Sequence, residues 1–480
     1  MSKLIRHSVV GFGLLLLLAS VAFAGATKVT IEEGQAMEKR LSPGAEVIIE
    51  GGNPYQGDIL ENFGTTWYDY QTNGSTGNRI EFDASGAIHV SWMNKLTNGD
   101  RHVYWNYKDD QWRTNKQVSE AEGAGYTNID KTSDRRSVVC YHQFSIDPGA
   151  FIAMDIGPGF EIFTVSQLPN TYPGRVDLFW PYLAIDANDN MHVVMHENSA
   201  TGTPQVMAYT FSDDMGATWS ELLIVDTLMD ISCIPVASEA DNKVALVYTH
   251  PIALAETEQV NNDVYYIESE DGINWNFSNK INITNYEYDD TIRAYTDLDA
   301  VYDNNGDLHV VWNTPGYFAE DGTITIDACF LWHWSESTGI NMIFDAWHIS
   351  YPGVWNRSAS KMSIGVDNTN HLFAVWTHFD DEDVSAGGFS NGELYMSYSE
   401  DGGVSWSEPM NMTDTYSGDC LPEDCDSDHW SSLAETVGEN LHIHYINDKD
   451  AGGIPQTEGT ATENPVVYLM YPNPVYTSVD

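Results

Sequence analysis

Three arginines hold equivalent places in a chain that has few of them. Arg175, Arg293 and Arg357 each precede by ten or eleven residues one of the turn positions Asp186, Asp303 and Asp367 of a repeating pattern. A guanidinium is a rigid fork of donors, so such residues could grip a carboxylate or sulfate. Six residues before the turns, the column reads Gly77, Gly125, Trp180, Cys233, Asp297, Lys361 and Trp430. Trp180 and Trp430 could stack on sugar rings, with Asp297 beside them. The plainer expectation is that the arginines pair with surface acids and the tryptophans plug a central channel. The run Asp380, Asp381, Glu382 and Asp383 offers hard oxygen ligands of the kind Ca²⁺ takes. It lacks EF-hand spacing, so a solvated acidic loop is the simpler reading, as it is for Glu423, Asp424, Asp426 and Asp428. No other cofactor is signalled.

The composition narrows the partners. The chain has 480 residues, with 21 Lys and Arg against 71 Asp and Glu, for a formal net charge of −50. So acidic a surface does not track nucleic-acid phosphates or anionic lipid headgroups. With 42% hydrophobic and 12% aromatic residues, the chain can nonetheless fill a core. Residues 1–24 read as a secretion signal. Lys3 and Arg6 precede an apolar run, and Ala22, Phe23 and Ala24 fit a cleavage site. That run is shorter than the roughly 20 residues a spanning helix needs, and no later stretch is long and apolar enough. In an oxidising exterior, Cys420 and Cys425 could close a small loop, while the odd count of 5 cysteines leaves at least one thiol unpaired within the chain.

The elements that must position these residues come from an internal repeat. Segments starting at Phe82, Ile185, Tyr302 and Val366 each place a polar turn before an apolar strand. Weaker copies bring the turn-entry positions to Asp83, Lys131, Asp186, Glu239, Asp303, Asp367 and Thr436, roughly 50 to 70 residues apart. His89, His192, His309 and His442 recur at one strand position, which suits a packed, hydrogen-bonded repeat residue better than a metal cluster. Four short strands per unit is the pattern of a propeller blade. The expected fold is all-β: a single β-propeller of four-stranded antiparallel blades, seven in number, with six as the alternative. A strand within the segment around Thr65–Tyr70 is expected to complete the last blade and close the ring. One short helix could span residues 31–41.

A turn motif sharpens this. Ser212, Asp214, Gly216, Thr218 and Trp219 spell S-x-D-x-G-x-T-W, and Ser399, Asp401, Gly403, Ser405 and Trp406 repeat it with serine. Ser269, Asp271, Gly272 and Trp275 form a copy one residue shorter. Asp and Ser side chains can hold such a turn, and Gly can take positive φ. The sequence here resembles the Asp-box (BNR-repeat) propellers of the sialidase-like group, over roughly residues 64–471. The resemblance implies that these boxes are structural and lie opposite the ligand face. Sialidases of that group use an arginine triad, a Tyr–Glu nucleophile pair and an Asp acid/base. Their Phe/Tyr-Arg-Ile-Pro motif is absent, with Asn78, Arg79, Ile80 and Glu81 as the nearest stretch, so no catalytic residue carries over. Tyr471, Pro472, Asn473 and Pro474 resemble the opening of a type IX secretion sorting domain.

The expected layout is a signal peptide at 1–24, an extension at 25–63, the propeller at 64–470 and a truncated sorting tail at 471–480. The expected function is a secreted or cell-surface propeller that binds a glycan or other extracellular polymer at its funnel mouth. A glycoside hydrolase and a structural adhesion module are the alternatives. The outer-membrane secretion machinery would be a partner, and nucleic acid would not. A close Asp/Glu or Tyr–Glu pair with a shifted pKa would mark an active site.

Overall fold

The computed structural model describes residues 28–29, 59–72, 74–171, 178–197, 205–252, 259–320, 322–347 and 351–476. The signal segment and the helix expected at 31–41 lie outside them, as does Arg175. Seven antiparallel four-stranded sheets form the blades of one propeller, two of them carrying an added strand. Their inner strands are Ile80–Phe82, Gly125–Lys131, Leu178–Ile185, Cys233–Ala237, Leu298–Tyr302, Ala359–Asp367 and Ser427–Leu433, which number blades 1 to 7. Among the described residues there is no α-helix, and no helix long and apolar enough to cross a membrane.

The turn after each inner strand explains the repeat. In blades 1, 3, 5 and 6 the Asp carboxylate accepts two main-chain N–H groups, as when Asp186 takes those of Asn188 and Asn190 at 2.9 Å each. Blades 2 and 4 lack this aspartate. Their equivalent turns start at Thr132 and Ser238, one residue away from Lys131 and Glu239. Without the carboxylate anchor, the turn register is not marked in the sequence.

The turns between third and fourth strands fold alike. Ser212 Oγ donates to Asp214 (2.8 Å) and accepts from the Gly216 N–H (2.8 Å), while the Thr218 N–H binds Asp214 (2.8 Å). Ser399, Asp401, Gly403 and Ser405 repeat the arrangement. Trp275 and Trp406 then pack on the preceding blade, against Tyr209 (5.0 Å) and His333 (5.5 Å). Gly403 sits at φ +88, and a Cβ there would collide with the His333 ring. Only glycine satisfies both constraints. The repeated histidines are buried on this side: His89 binds Asp83 and Ser137, His192 binds Tyr209, His309 binds His333, and His442 binds Tyr468.

The ring closes through blade 7. Its outer strand is Ile59–Thr66, paired antiparallel with Asn464–Pro472. It starts before the Thr65–Tyr70 segment and contains only the first two of its residues. Phe63 locks it against Trp112 (4.5 Å, stacked) and Trp92 (5.3 Å, edge-on). Tyr471 and Pro472 end the third strand of this blade, and Asn473 then binds main-chain groups at Gly438 and Glu439. Around the axis, inner strands are cross-linked by side chains. Asp130 accepts the Ile185 N–H, Asp299 that of Ile364, and Ser432 that of Arg79.

Candidate functional site

The connections between blades share one face with the loops joining second to third strands, opposite the S-x-D-x-G turns. Six inner strands carry a residue at positive φ within a few residues of their start on that face: Gly77, Tyr126, Trp180, Ile231, Lys361 and Trp430. Left-handed backbone at bulky residues is strained, and it marks the ring mouth as a place the surroundings hold firmly. In blade 2 the residue is Tyr126 and not Gly125, a shift that follows from the turn register there.

Among the described residues, the expected ligand-binding residues Trp180, Arg293, Asp297, Arg357 and Trp430 come to this mouth, in a specific way. Arg293 donates to the carbonyls of Asp290, Ile292 and Glu287 at 2.7–2.8 Å and lies over the Tyr317 ring (4.7 Å). Arg357 donates to Val354 and Asn356 carbonyls and to Tyr295 Oη (3.1 Å), with its guanidinium 4.5 Å above the Tyr295 ring. Arg79 braces its own connection in the same way, through the carbonyls of Thr76 and Trp430. These guanidiniums are buried and engaged by the loops that carry them. Asp297 and Trp430 are joined through Lys361: its Nζ lies 3.0 Å from Asp297 Oδ1 and 4.4 Å over the Trp430 ring. Trp180 lies on the far side of the mouth, stacked on His196 (4.8 Å). Trp430 is fully buried and Trp180 is 8% exposed, so both pack inside the mouth.

Asp380, Asp381 and Asp383 lie in the long second strand of blade 6, Leu372–Val384. Asp383 is buried and accepts from Asn391 Nδ2 (2.8 Å) and the Ser417 N–H (3.2 Å). Among the described residues no group of three or more His, Cys, Asp or Glu could hold a metal ion. Nearby, Cys420 and Cys425 form the small disulfide, and Cys140, Cys233 and Cys329 are buried thiols.

Residues 67–77 run from the closing strand across the mouth to blade 1 and are buried throughout the described part. They bring in side chains that no motif announced. Tyr70 packs against Trp430 (5.1 Å). Asp69 Oδ2 accepts the Ile454 N–H (2.8 Å), while its Oδ1 has no hydrogen-bond partner. Burial pushes Asp69 up to about 7 despite the main-chain amides around it, and nearby Glu458 adds to the rise. Glu458 belongs to the loop joining second to third strands in blade 7. Its Oε1 accepts the Tyr351 hydroxyl (2.9 Å), and both oxygens accept the Val354 N–H (3.1 and 3.2 Å). Burial raises Glu458 against these hydrogen bonds and the pull of Arg357. Tyr351 is half-buried, rests on Phe389 (5.6 Å), and is held above its usual range by burial and by Glu458. The sequence signal for this group was slight: Tyr70 stood in the segment expected to close the ring, and Glu458 in a glycine-rich loop.

Across the mouth, His142 sits in an aromatic box of Tyr126 (5.1 Å), Phe144 (4.9 Å) and Trp180 (6.2 Å). Both its ring nitrogens lack partners. Burial, then Arg101 and His196, drive it well below the usual range, so it is a neutral imidazole.

The architecture has known counterparts. A polysaccharide lyase of family PL25, an ulvan lyase, aligns over 84% of this chain and 99% of its own, with TM-score 0.54 and 10% identity. A structure of a PL25 ulvan lyase bound to -[GlcA(1-4)Rha3S]- gives 0.51 at 10% identity, over 83% and 100% of the two chains. Polysaccharide lyase Uly1 gives 0.50 at 10% identity, over 85% and 92%. At such identity the likeness establishes the propeller fold alone. No protein-family model matches the sequence, and no curated protein does.

Proposed function

We propose that this chain is an exported propeller that binds a glycan at the mouth between blades 5, 6 and 7. One observation carries the reading: half-buried Tyr351 lies against Phe389 while its hydroxyl meets the Glu458 carboxylate. Sugars present an apolar ring face and a rim of hydroxyls, which suits an aromatic surface bordered by a carboxylate. The polysaccharide lyases that share the fold are in keeping with a polymeric ligand. The net charge of −50 speaks against nucleic acid. The test is a glycan array with the full chain and its Tyr351→Ala variant. Binding that the variant loses while it stays folded supports the reading; an empty array with folded protein refutes it.

A second reading, glycoside hydrolysis, is favoured by the Tyr351–Glu458 pair beside Asp69. Glu458 is placed to take the Tyr351 proton, and Asp69 at about 7 could act as a proton donor near neutral pH. The raised Tyr351 argues for retention of its proton, which keeps binding ahead of turnover. Release of a fluorophore from a panel of aryl glycosides, abolished by Glu458→Gln, would reverse that order.

A further inference from the structure

The mouth holds buried oxygens, one hydroxyl and two acceptors, that have no hydrogen-bond partner. A Cβ placed on Gly453 would lie 2.5 Å from Gln456 Oε1, 3.2 Å from Tyr70 Oη and 3.3 Å from Glu458 Oε2, so three oxygens converge on the bare face of this glycine. Gln456 Oε1 and Tyr70 Oη make no hydrogen bond, and neither does Asp69 Oδ1 beside them. Tyr70 and Asp69 are at least nine-tenths buried. Glu458 is flanked on its other side by Gly353, whose Cβ would come within 2.7 Å of Oε2. Two glycines thus let the backbone approach one carboxylate closely from both sides.

The cations nearest these oxygens make their hydrogen bonds elsewhere, and of them Arg357 acts on Glu458 only through its charge. Arg357 serves its own loop and Tyr295, Arg293 serves the preceding connection, and Lys361 is paired with Asp297. Buried acceptors without donors are costly, and a ligand that brings donors gains what water cannot supply there. A carboxylate or sulfate brings more acceptors and more negative charge. An ammonium brings three donors and the opposite charge.

From this geometry we infer that the mouth takes an amino sugar with a free amine, and not a uronate, sialate or sulfated sugar. The ammonium lies against Glu458, Tyr70 and Gln456, and the sugar ring against Tyr351. The inference rests on the glycan reading above and names its ligand class.

The test measures binding of the full chain to hexameric glucosamine, its N-acetylated counterpart, polyglucuronate and hexalysine by titration calorimetry. Hexameric glucosamine should bind about 10- to 100-fold tighter than the N-acetylated form, the value of a charge-assisted hydrogen bond. Glu458→Gln should abolish that preference with little loss of thermal stability, since it removes one charge among many. Gly453→Ala should weaken the same ligand by crowding the oxygens. Hexalysine binding as tightly as hexameric glucosamine would mean attraction to the acidic surface and would overturn the inference. A preference for the acetylated or uronate polymer would also overturn it, with the glycan reading intact. No binding to any glycan by folded protein would overturn both.

Discussion

Asp69→Asn isolates the cost of placing a carboxyl under the crossing segment. Asp69 is fully buried, and its folded pKa rises from 3.8 to about 7. An acid with a raised pKa binds its proton more tightly folded than unfolded. Between about pH 4 and 7 the native state therefore holds more protons, and stability falls as pH rises through this window. The shift of about three units corresponds to a ceiling of about 4 kcal/mol, all of it felt above pH 7. Asparagine keeps an acceptor for the Ile454 N–H and cannot ionise. Urea unfolding of both proteins at pH 4, 6 and 8 should give similar stability at pH 4. At pH 8 the variant should be more stable by roughly 1 to 4 kcal/mol. Parallel pH profiles, or a variant less stable at pH 8, would refute the account of Asp69 as a buried acid held neutral by desolvation.

Other expectations follow from the same structure. Phe63→Ala removes the ring that locks the closing strand between Trp92 and Trp112, and should cost about 3–5 kcal/mol, read by chemical unfolding. Removing residues through 66 should abolish the cooperative transition altogether, since it deletes the outer strand of blade 7. Gly403→Ala meets both a positive φ and the His333 ring and should destabilise by roughly 2–4 kcal/mol, whereas Gly402→Ala, with open space, should cost only about 1 kcal/mol. Equal effects would show that the His333 contact is unimportant. Opening the Cys420–Cys425 loop by Cys→Ser at both positions should cost roughly 2 kcal/mol, the scale for so short a loop, measured by unfolding with and without reductant.

Most of the architecture was readable because a propeller repeats its punctuation. Asp83, Asp186, Asp303 and Asp367 fix turns by bonding their own backbone, so the residue type recurs in four of the blades. Register slipped where the carboxylate is missing, at Thr132 and Ser238, because several polar residues there fit equally well. The periodic arginines illustrate the opposite difficulty. Arg293 and Arg357 recur at matched positions, which suits a shared ligand and equally suits a brace for a recurring loop. Only the carbonyl contacts distinguish the two. The mouth group was hidden for a geometric reason. Asp69, Tyr351 and Glu458 come from three unrelated connections, and their meeting depends on how residues 67–77 cross the ring. No local spacing encodes that path.

The pairing of Ile59–Thr66 with Asn464–Pro472 also governs how the chain can reach its native state. Six blades have their four main strands near one another in sequence, and each such set can form from local hairpins. The seventh needs two segments some four hundred residues apart. Until they meet, the last hairpin and the first strand both present unpaired edges. Ring closure is then a late, slow event, and the unclosed ring is the species open to aggregation or to exchange of the first strand with a second molecule. A circular permutant that opens the chain between blades 1 and 2 at the exposed Glu120, with a linker joining the old ends, would bring the four strands of blade 7 together in sequence and leave the strands of blade 1 together. It should refold faster while leaving the mouth unchanged.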